Sequence, residues 1–137
     1  VKYTNPDRDQ LRAILEMNGY APDMLFGCDE ELLDGLRIGC RGAVGSSYNF
    51  SAPLYRRIIS SFDEGDTEAA QRDQARSAEM IRTIAKYNYT PAAKSVMAMV
   101  GVACGPARPP LCTLSQESIG NLKLDLEKIG FFDWVNS

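Results

Sequence analysis

The sequence predicts an α/β chain in which a short parallel sheet with crossover helices is followed by a three-helix extension. Three observations carry this. Short, wholly apolar runs alternate with helical-period segments over residues 1–66. Glycine-bounded polar loops separate each run from the next helix. From residue 67 to 137 only helical periodicity remains, interrupted by a proline-rich connector.

The elements follow in order. Val1-Lys2-Tyr3-Thr4 reads as the end of a strand, and Asn5-Pro6-Asp7 as a helix start, with Asn5 as N-cap and Pro6 in the first turn. Leu11, Ile14 and Leu15 keep helical spacing, and Asn18-Gly19 closes the helix. After Pro22-Asp23, Met24-Leu25-Phe26 reads as a buried strand ending at Gly27. Asp29-Glu30-Glu31 then places acids at the start of a helix with Leu32, Leu33 and Leu36 on one face, closed by Gly39. Gly42-Ala43-Val44 is the third apolar run and leads into Gly45-Ser46-Ser47-Tyr48-Asn49. Ser51 and Pro53 open the next helix, which turns Leu54, Ile58, Ile59 and Phe62 inward and stops at Gly65.

Alternation of this kind gives parallel strands, and apolar runs without polar alternation belong to strands covered on both faces. Three strands cannot close a barrel and leave open edges, so the sequence is expected to begin inside a longer fold. Residues 67–87 form a long helix with Ala70, Met80, Ile81 and Ile84 inward. Thr90-Pro91 caps a second, carrying Val96, Met97 and Val100. Residues 105–110 form the connector. Ser115 caps a last helix with Ile119, Leu122, Leu126 and Ile129, followed by Phe131, Phe132 and Trp134.

Composition narrows the chemistry. Net charge is −3 with scattered basic residues, which argues against nucleic acid and anionic membranes as partners. The longest apolar stretch, residues 95–104, falls well short of the roughly 20 residues of a membrane span. The four cysteines, Cys28, Cys40, Cys104 and Cys112, form no C-x-x-C pair. Two disulfides are open to them, though reduced thiols in a cytoplasmic protein are the expectation. With no histidine in the chain, zinc binding and Ser-His or Cys-His catalysis are not expected.

Ligands of parallel α/β sheets bind at the carboxyl ends of the strands. Three loops qualify: Lys2-Tyr3-Thr4, Gly27-Cys28-Asp29-Glu30 and Gly45-Ser46-Ser47-Tyr48-Asn49. Of the five lysines, only Lys2 follows an apolar residue at a strand end. An amine held in a dehydrated interior can attack a carbonyl, and a solvated lysine near the start of the sequence is the alternative. Asp29 and Glu30 equally suit a helix dipole, Ser46 and Ser47 a cap or turn, and Tyr48 either packing or hydrogen bonding.

At these loops the sequence resembles the N-acetylneuraminate lyase branch of the pyruvate-dependent barrel aldolases, a superfamily that also holds dihydrodipicolinate synthase. Val1-Lys2-Tyr3-Thr4 is similar to the strand-six segment bearing the Schiff-base lysine. Gly27-Cys28-Asp29-Glu30 matches G-x-D-E after strand seven, and Gly45-Ser46-Ser47-Tyr48-Asn49 matches G-S-[ST]-Y-N after strand eight. The synthases usually carry a G-D-D type segment and lack the Y-N ending.

The resemblance implies strands six to eight of a (β/α)8 TIM barrel, about half of a barrel of roughly 250 residues. It implies that Lys2 forms the imine with Thr4 beside it. Gly27 would offer backbone contacts, and Asp29, Glu30 and Ser46 would bind the polyhydroxy tail of a sugar acid. It further implies reversible retro-aldol cleavage of N-acetylneuraminate (sialic acid) to N-acetylmannosamine and pyruvate, no metal or organic cofactor, and a homotetramer. The carboxylate-binding loop and catalytic tyrosine of the family belong to the front half of the barrel, and Tyr3 and Tyr48 do not match that tyrosine. Residues 1–137 alone are therefore expected to be inactive without that N-terminal half. Another 2-keto-3-deoxy sugar acid as substrate, or a non-catalytic half-barrel assembly module, are the competing readings.

Overall fold

The computed structural model describes residues 1–17 and 23–135. Three two-residue strands, β1 (Lys2–Tyr3), β2 (Leu25–Phe26) and β3 (Gly42–Ala43), form one parallel sheet in chain order. Lys2 pairs with Leu25 and Leu25 with Gly42, while Tyr3, Phe26 and Ala43 share the next row. Bonds from Gly27 N to the Tyr3 carbonyl (2.8 Å) and from Val44 N to the Phe26 carbonyl (2.9 Å) extend the ladder past the strand ends.

The crossovers are helical, as the alternation predicts, with three adjustments at their starts. Helix α1 (Arg8–Leu15) is capped by Asp7, not Asn5. The Asp7 carboxylate accepts from Gln10 N at 2.9 Å, and Asn5 makes the preceding turn by accepting from Asp7 N at 3.0 Å. The expected stop at Asn18-Gly19 and the lead-in at Pro22 lie outside the described residues. A 3-10 turn, Asp29–Glu31, precedes α2 (Leu32–Ile38), so the three acids sit before the α-helix and not within its first turn. Helix α3 (Tyr48–Asp63) starts one turn earlier than Ser51. That turn is kinked at Ser51, whose φ of −141° and ψ of 29° are non-helical. The regular part begins beyond the kink, where Pro53 lacks only an N–H that the first turn leaves unpaired.

Helices α4 (Thr67–Ala85), α5 (Tyr89–Met99) and α6 (Gln116–Lys128) follow, with a short α7 (Phe131–Trp134) in addition to the three expected. Asp66 caps α4 by accepting from Ala69 N at 3.0 Å, and α4 ends two residues short of the expected 87. Asn88, at a φ of 62°, caps α5, correcting the assignment to Thr90-Pro91. Ser115 caps α6 as its position predicts, accepting from Ser118 N at 3.1 Å. No helix among the described residues is long and apolar enough to cross a membrane.

Two apolar clusters hold the chain together. The smaller, Tyr3, Leu11, Met24, Phe26 and Cys40, packs α1 and α2 onto the sheet. The larger runs from Leu32, Leu33 and Leu54 through Met80, Ile84 and Val96 to Leu122, Leu126, Phe131 and Trp134. It crosses the boundary at residue 66 without a break, so α4 to α7 share a core with α2 and α3. An ion network around the buried Asp73 reinforces the seam. Asp73 accepts from Arg57 Nε at 3.0 Å and from Arg76 at 2.7 Å, and Arg57 also donates to the Trp134 carbonyl at 3.0 Å.

Candidate functional site

The parallel ladder brings the carboxyl ends of all three strands to one side. There a cavity of about 240 Å³ is lined by Lys2, Gly27, Asp29, Glu30, Gly45, Ser46, Ile81 and Tyr89. Five of the six predicted site residues thus meet. Strand alternation explains Lys2: Tyr3 enters the core, so its neighbour faces the other way. Lys2 makes no hydrogen bond or ion pair with the described residues, leaving its amine open to a ligand. Thr4, the sixth predicted residue, is exposed and does not line the cavity. Its Oγ1 stands beside Gly27, and its carbonyl lies 3.7 Å from Cys28 Sγ.

Two glycines make the crowding possible. A β-carbon at Gly27 would collide with Thr4 Oγ1, fall 2.6 Å from Lys2 Cε and 2.9 Å from the Tyr3 carbonyl oxygen. One at Gly45 would land on the Asp29 carboxylate. Backbone and functional group therefore approach as only glycine allows.

Asp29 is buried at 6% exposure. Its Oδ2 accepts from Ser47 N at 3.0 Å and from Ser47 Oγ at 2.5 Å, while Oδ1 accepts no bond from the described residues. Behind this pair, Ser47 Oγ lies 2.5 Å from Tyr55 Oη, which lies 2.8 Å from Ser77 Oγ. Ser77 Oγ and Gln74 Nε2 reach the Asp29 carbonyl at 3.1 and 3.3 Å. Asp29 is thus more than a helix-dipole acid, since it fastens the second loop to the third. Glu30, its exposed neighbour, carries the solvent-facing carboxylate of the cavity.

Ser46 donates to Tyr89 Oη at 3.0 Å. Burial pushes the Tyr89 phenol up from its ordinary value, and the Ser46 bond works against that rise. Tyr48 does not enter the cavity. Its ring packs edge-on against Tyr55 at 4.1 Å, and its hydroxyl is buried without a hydrogen-bond partner among the described residues.

Sequence reasoning placed Gly45 in a ligand loop without counting it as a site residue, and it missed Ile81 and Tyr89 as lining residues and Tyr55, Gln74 and Ser77 behind them. For Ser77 a signal existed. Ala70, Asp73, Ser77, Met80 and Ile84 recur at spacings of three and four, so two polar residues stand on an apolar stripe. Tyr89 sits at a helix start 43 residues from Ser46, and no local pattern connects them. A larger groove of about 550 Å³ between α5 and the connector is lined mainly by small and apolar side chains, without convergent acids, so the chemistry belongs to the smaller cavity.

A parallel sheet with crossover helices and a lysine, two acids and a serine at its strand ends defines an α/β chain with a ligand site there. Comparison places it more closely: the profile of the dihydrodipicolinate synthetase family matches residues 1–129, and the chain belongs to that family. It is similar to the N-acetylneuraminate lyase of Rattus norvegicus, with 33% identity over 81% of this chain and 35% of the relative. With that of Mus musculus the identity is 33% over 96% of this chain and 42% of the relative. Among solved structures, Proteus mirabilis N-acetylneuraminate lyase superposes with a TM-score of 0.88 at 32% identity, covering 95% of this chain and 44% of that one. The chain spans less than half the length of the curated relatives it matches.

Proposed function

We propose that this chain supplies the Schiff-base lysine and the sugar-binding loops of an aldolase that cleaves N-acetylneuraminate reversibly to N-acetylmannosamine and pyruvate. One observation carries the reading: Lys2 shares a single cavity with Asp29, Glu30 and Ser46 at the ends of parallel strands. The relatives named N-acetylneuraminate lyase support the choice of substrate.

In this reading the Lys2 amine adds to the keto carbon of the open-chain sugar acid and expels water, leaving a protonated imine. The imine withdraws the electrons of the C3–C4 bond as that bond breaks. The C4 hydroxyl gives its proton to a base outside the cavity residues described, and C4 leaves as the aldehyde of N-acetylmannosamine. Protonation of the enamine at C3 and hydrolysis release pyruvate and restore the amine. Asp29, Glu30 and Ser46 hold the hydroxylated tail, because carboxylates accept strongly from hydroxyls. Gly27 lets that tail approach the backbone, and Thr4 supports the lysine from outside the cavity. No step calls for a metal or organic cofactor.

Residues 1–66 carry the site, and 67–137 cover it and contribute Tyr89 and Ile81. The remaining strands of the barrel pair with the sheet edges and bring the carboxylate-binding loop and the proton-transferring tyrosine. The whole enzyme is a homotetramer in this reading.

Borohydride reduction of the full-length protein with pyruvate, followed by peptide mass spectrometry, tests the lysine. Label on Lys2 is expected, and label on Lys86 or Lys94 would sink the assignment. Pyruvate release from N-acetylneuraminate, compared with 2-keto-3-deoxygluconate, tests the substrate.

A further inference from the structure

We propose that Tyr55, through Ser47, is a positioning residue that aims the Asp29 carboxylate at the hydroxylated part of the substrate. The inference rests on the reading of the site given above. Tyr55 lies on α3, outside the cavity, and is 4% exposed. Among the described residues it makes no hydrogen bond or ring contact with the Lys2 loop, so its effect on substrate travels through Asp29.

Proton counting gives the chain a direction. Ser47 has one hydroxyl proton and spends it on Asp29 Oδ2, at 2.5 Å. The 2.5 Å contact between Ser47 and Tyr55 then needs the phenol as donor. Tyr55 has no second proton, so its 2.8 Å contact with Ser77 draws on the single Ser77 proton, which also faces the Asp29 carbonyl at 3.1 Å. Gln74 Nε2 still serves the Asp29 carbonyl at 3.3 Å. Two hydroxyls thus form a one-way series, Tyr55 to Ser47, ending on one carboxylate oxygen, with Ser77 bridging Tyr55 and the Asp29 carbonyl behind them.

The consequence is positional. With Oδ2 held by two donors from Ser47 and the carboxyl group pressed against Gly45, rotation about the Cβ–Cγ bond is blocked. Oδ1 is left as the oxygen that can accept from a substrate hydroxyl. With Ser77 the series also spans three elements, the 3-10 turn, α3 and α4, so it sets the spacing between the second and third loops. Buried hydrogen-bonded series of this kind are rigid when every member is satisfied.

Tyr55→Phe in the full-length enzyme removes the donor to Ser47 while keeping the ring. Aldol synthesis from pyruvate is then followed with N-acetylmannosamine and with a short aldehyde that lacks the distal hydroxyls. The expected result is a roughly tenfold loss of kcat/KM for N-acetylmannosamine, mostly in KM, on the scale of one buried hydrogen bond to a charged group. Borohydride trapping of pyruvate on Lys2 and the short-aldehyde rate should stay within about twofold of the unmodified enzyme. Ser47→Thr should retain the selectivity and Ser47→Ala lose it. Ser77→Ala should give a smaller loss in the same direction, and it carries the test if the phenylalanine variant does not fold. Equal losses on both aldehydes, or no loss on either, overturn this proposal alone. Failure of the unmodified enzyme to trap pyruvate overturns the Schiff-base reading and this proposal with it.

Discussion

Asp29 and Gly45 touch so closely that the carboxylate occupies the space where a β-carbon at position 45 would stand. The glycine of the third loop is therefore required by the acid of the second.

Gly45→Ala should consequently force Asp29 out of its bond with Ser47. Overpacking of this kind costs about 1–3 kcal/mol, readable as a lower urea midpoint. Tail recognition should weaken, while pyruvate trapping on Lys2 persists. An alanine variant with unchanged stability and unchanged substrate affinity would contradict the observed contact.

Gly27→Ala should act on the lysine instead. Its new methyl meets Lys2 Cε and Thr4 Oγ1, which can move, and the Tyr3 carbonyl, which is fixed in the sheet. The rate of borohydride trapping by pyruvate is expected to fall at least tenfold. This is the reverse of the Gly45 variant, and single-turnover trapping of the two side by side would distinguish them.

Asp73→Ala removes the shared acceptor of Arg57 and Arg76 at a site where the acid is 6% exposed. Both arginines are partly solvated, which limits the loss, and about 2 kcal/mol of unfolding free energy is expected. Asp9→Ala deletes an exposed acid paired to Arg12 and should cost less than about 0.5 kcal/mol. Paired urea melts check the contrast.

Alkaline pH should unfold the chain earlier than its surface charges suggest. Burial pushes the Tyr55 phenol up, and the Ser47 and Ser77 bonds offset only part of that rise. Burial and then the neighbouring Asp29 do the same to Tyr48. Below the ordinary tyrosine pKa of about 10 both folded and unfolded chains keep these protons, and stability is insensitive to them. Above it the unfolded chain releases protons that the fold retains, so stability falls as pH rises. The slope reaches about 1.4 kcal/mol per pH unit for Tyr55. Phenolate absorbance should lag behind that of free tyrosine and then rise together with loss of helical circular dichroism.

Much of this was readable from local pattern. The alternation of apolar runs and helical segments is realised as β1-α1-β2-α2-β3-α3, and Ser115 and Gly65 stand at the helix ends where the pattern puts them. The helix starts were harder. Asn5 and Asp7 are both good caps, and only the Asp7 carboxylate reaches the N–H three residues on. Ser51 looks like a helix start because it is one, but a kinked turn precedes it.

At the site, residues next to each other in a loop were legible and those joined through space were not. Lys2 lies in a strand, Gly27, Asp29, Glu30 and Ser46 follow one, and strand ends converge by topology. Tyr55, Ser77 and Tyr89 lie inside or at the head of helices, and their partners are fixed by how those helices pack. Thr4 follows a strand as well and, two residues on from Lys2, shares its side of the chain, yet it lies outside the cavity with its hydroxyl beside Gly27.

The continuous core across residue 66 restricts how this chain can be recombined with its relatives. A chimera joined there would keep both motifs and every cavity residue of the first three loops. It would divide the core shared by Leu54, Ile58, Met80 and Ile84, and lose the Arg57–Asp73 pair and the Tyr89 hydroxyl that receives Ser46. Exchange of substrate preference between family members therefore requires the loops and the helices behind them to travel as one cassette, with α3, α4 and the start of α5 from the same parent.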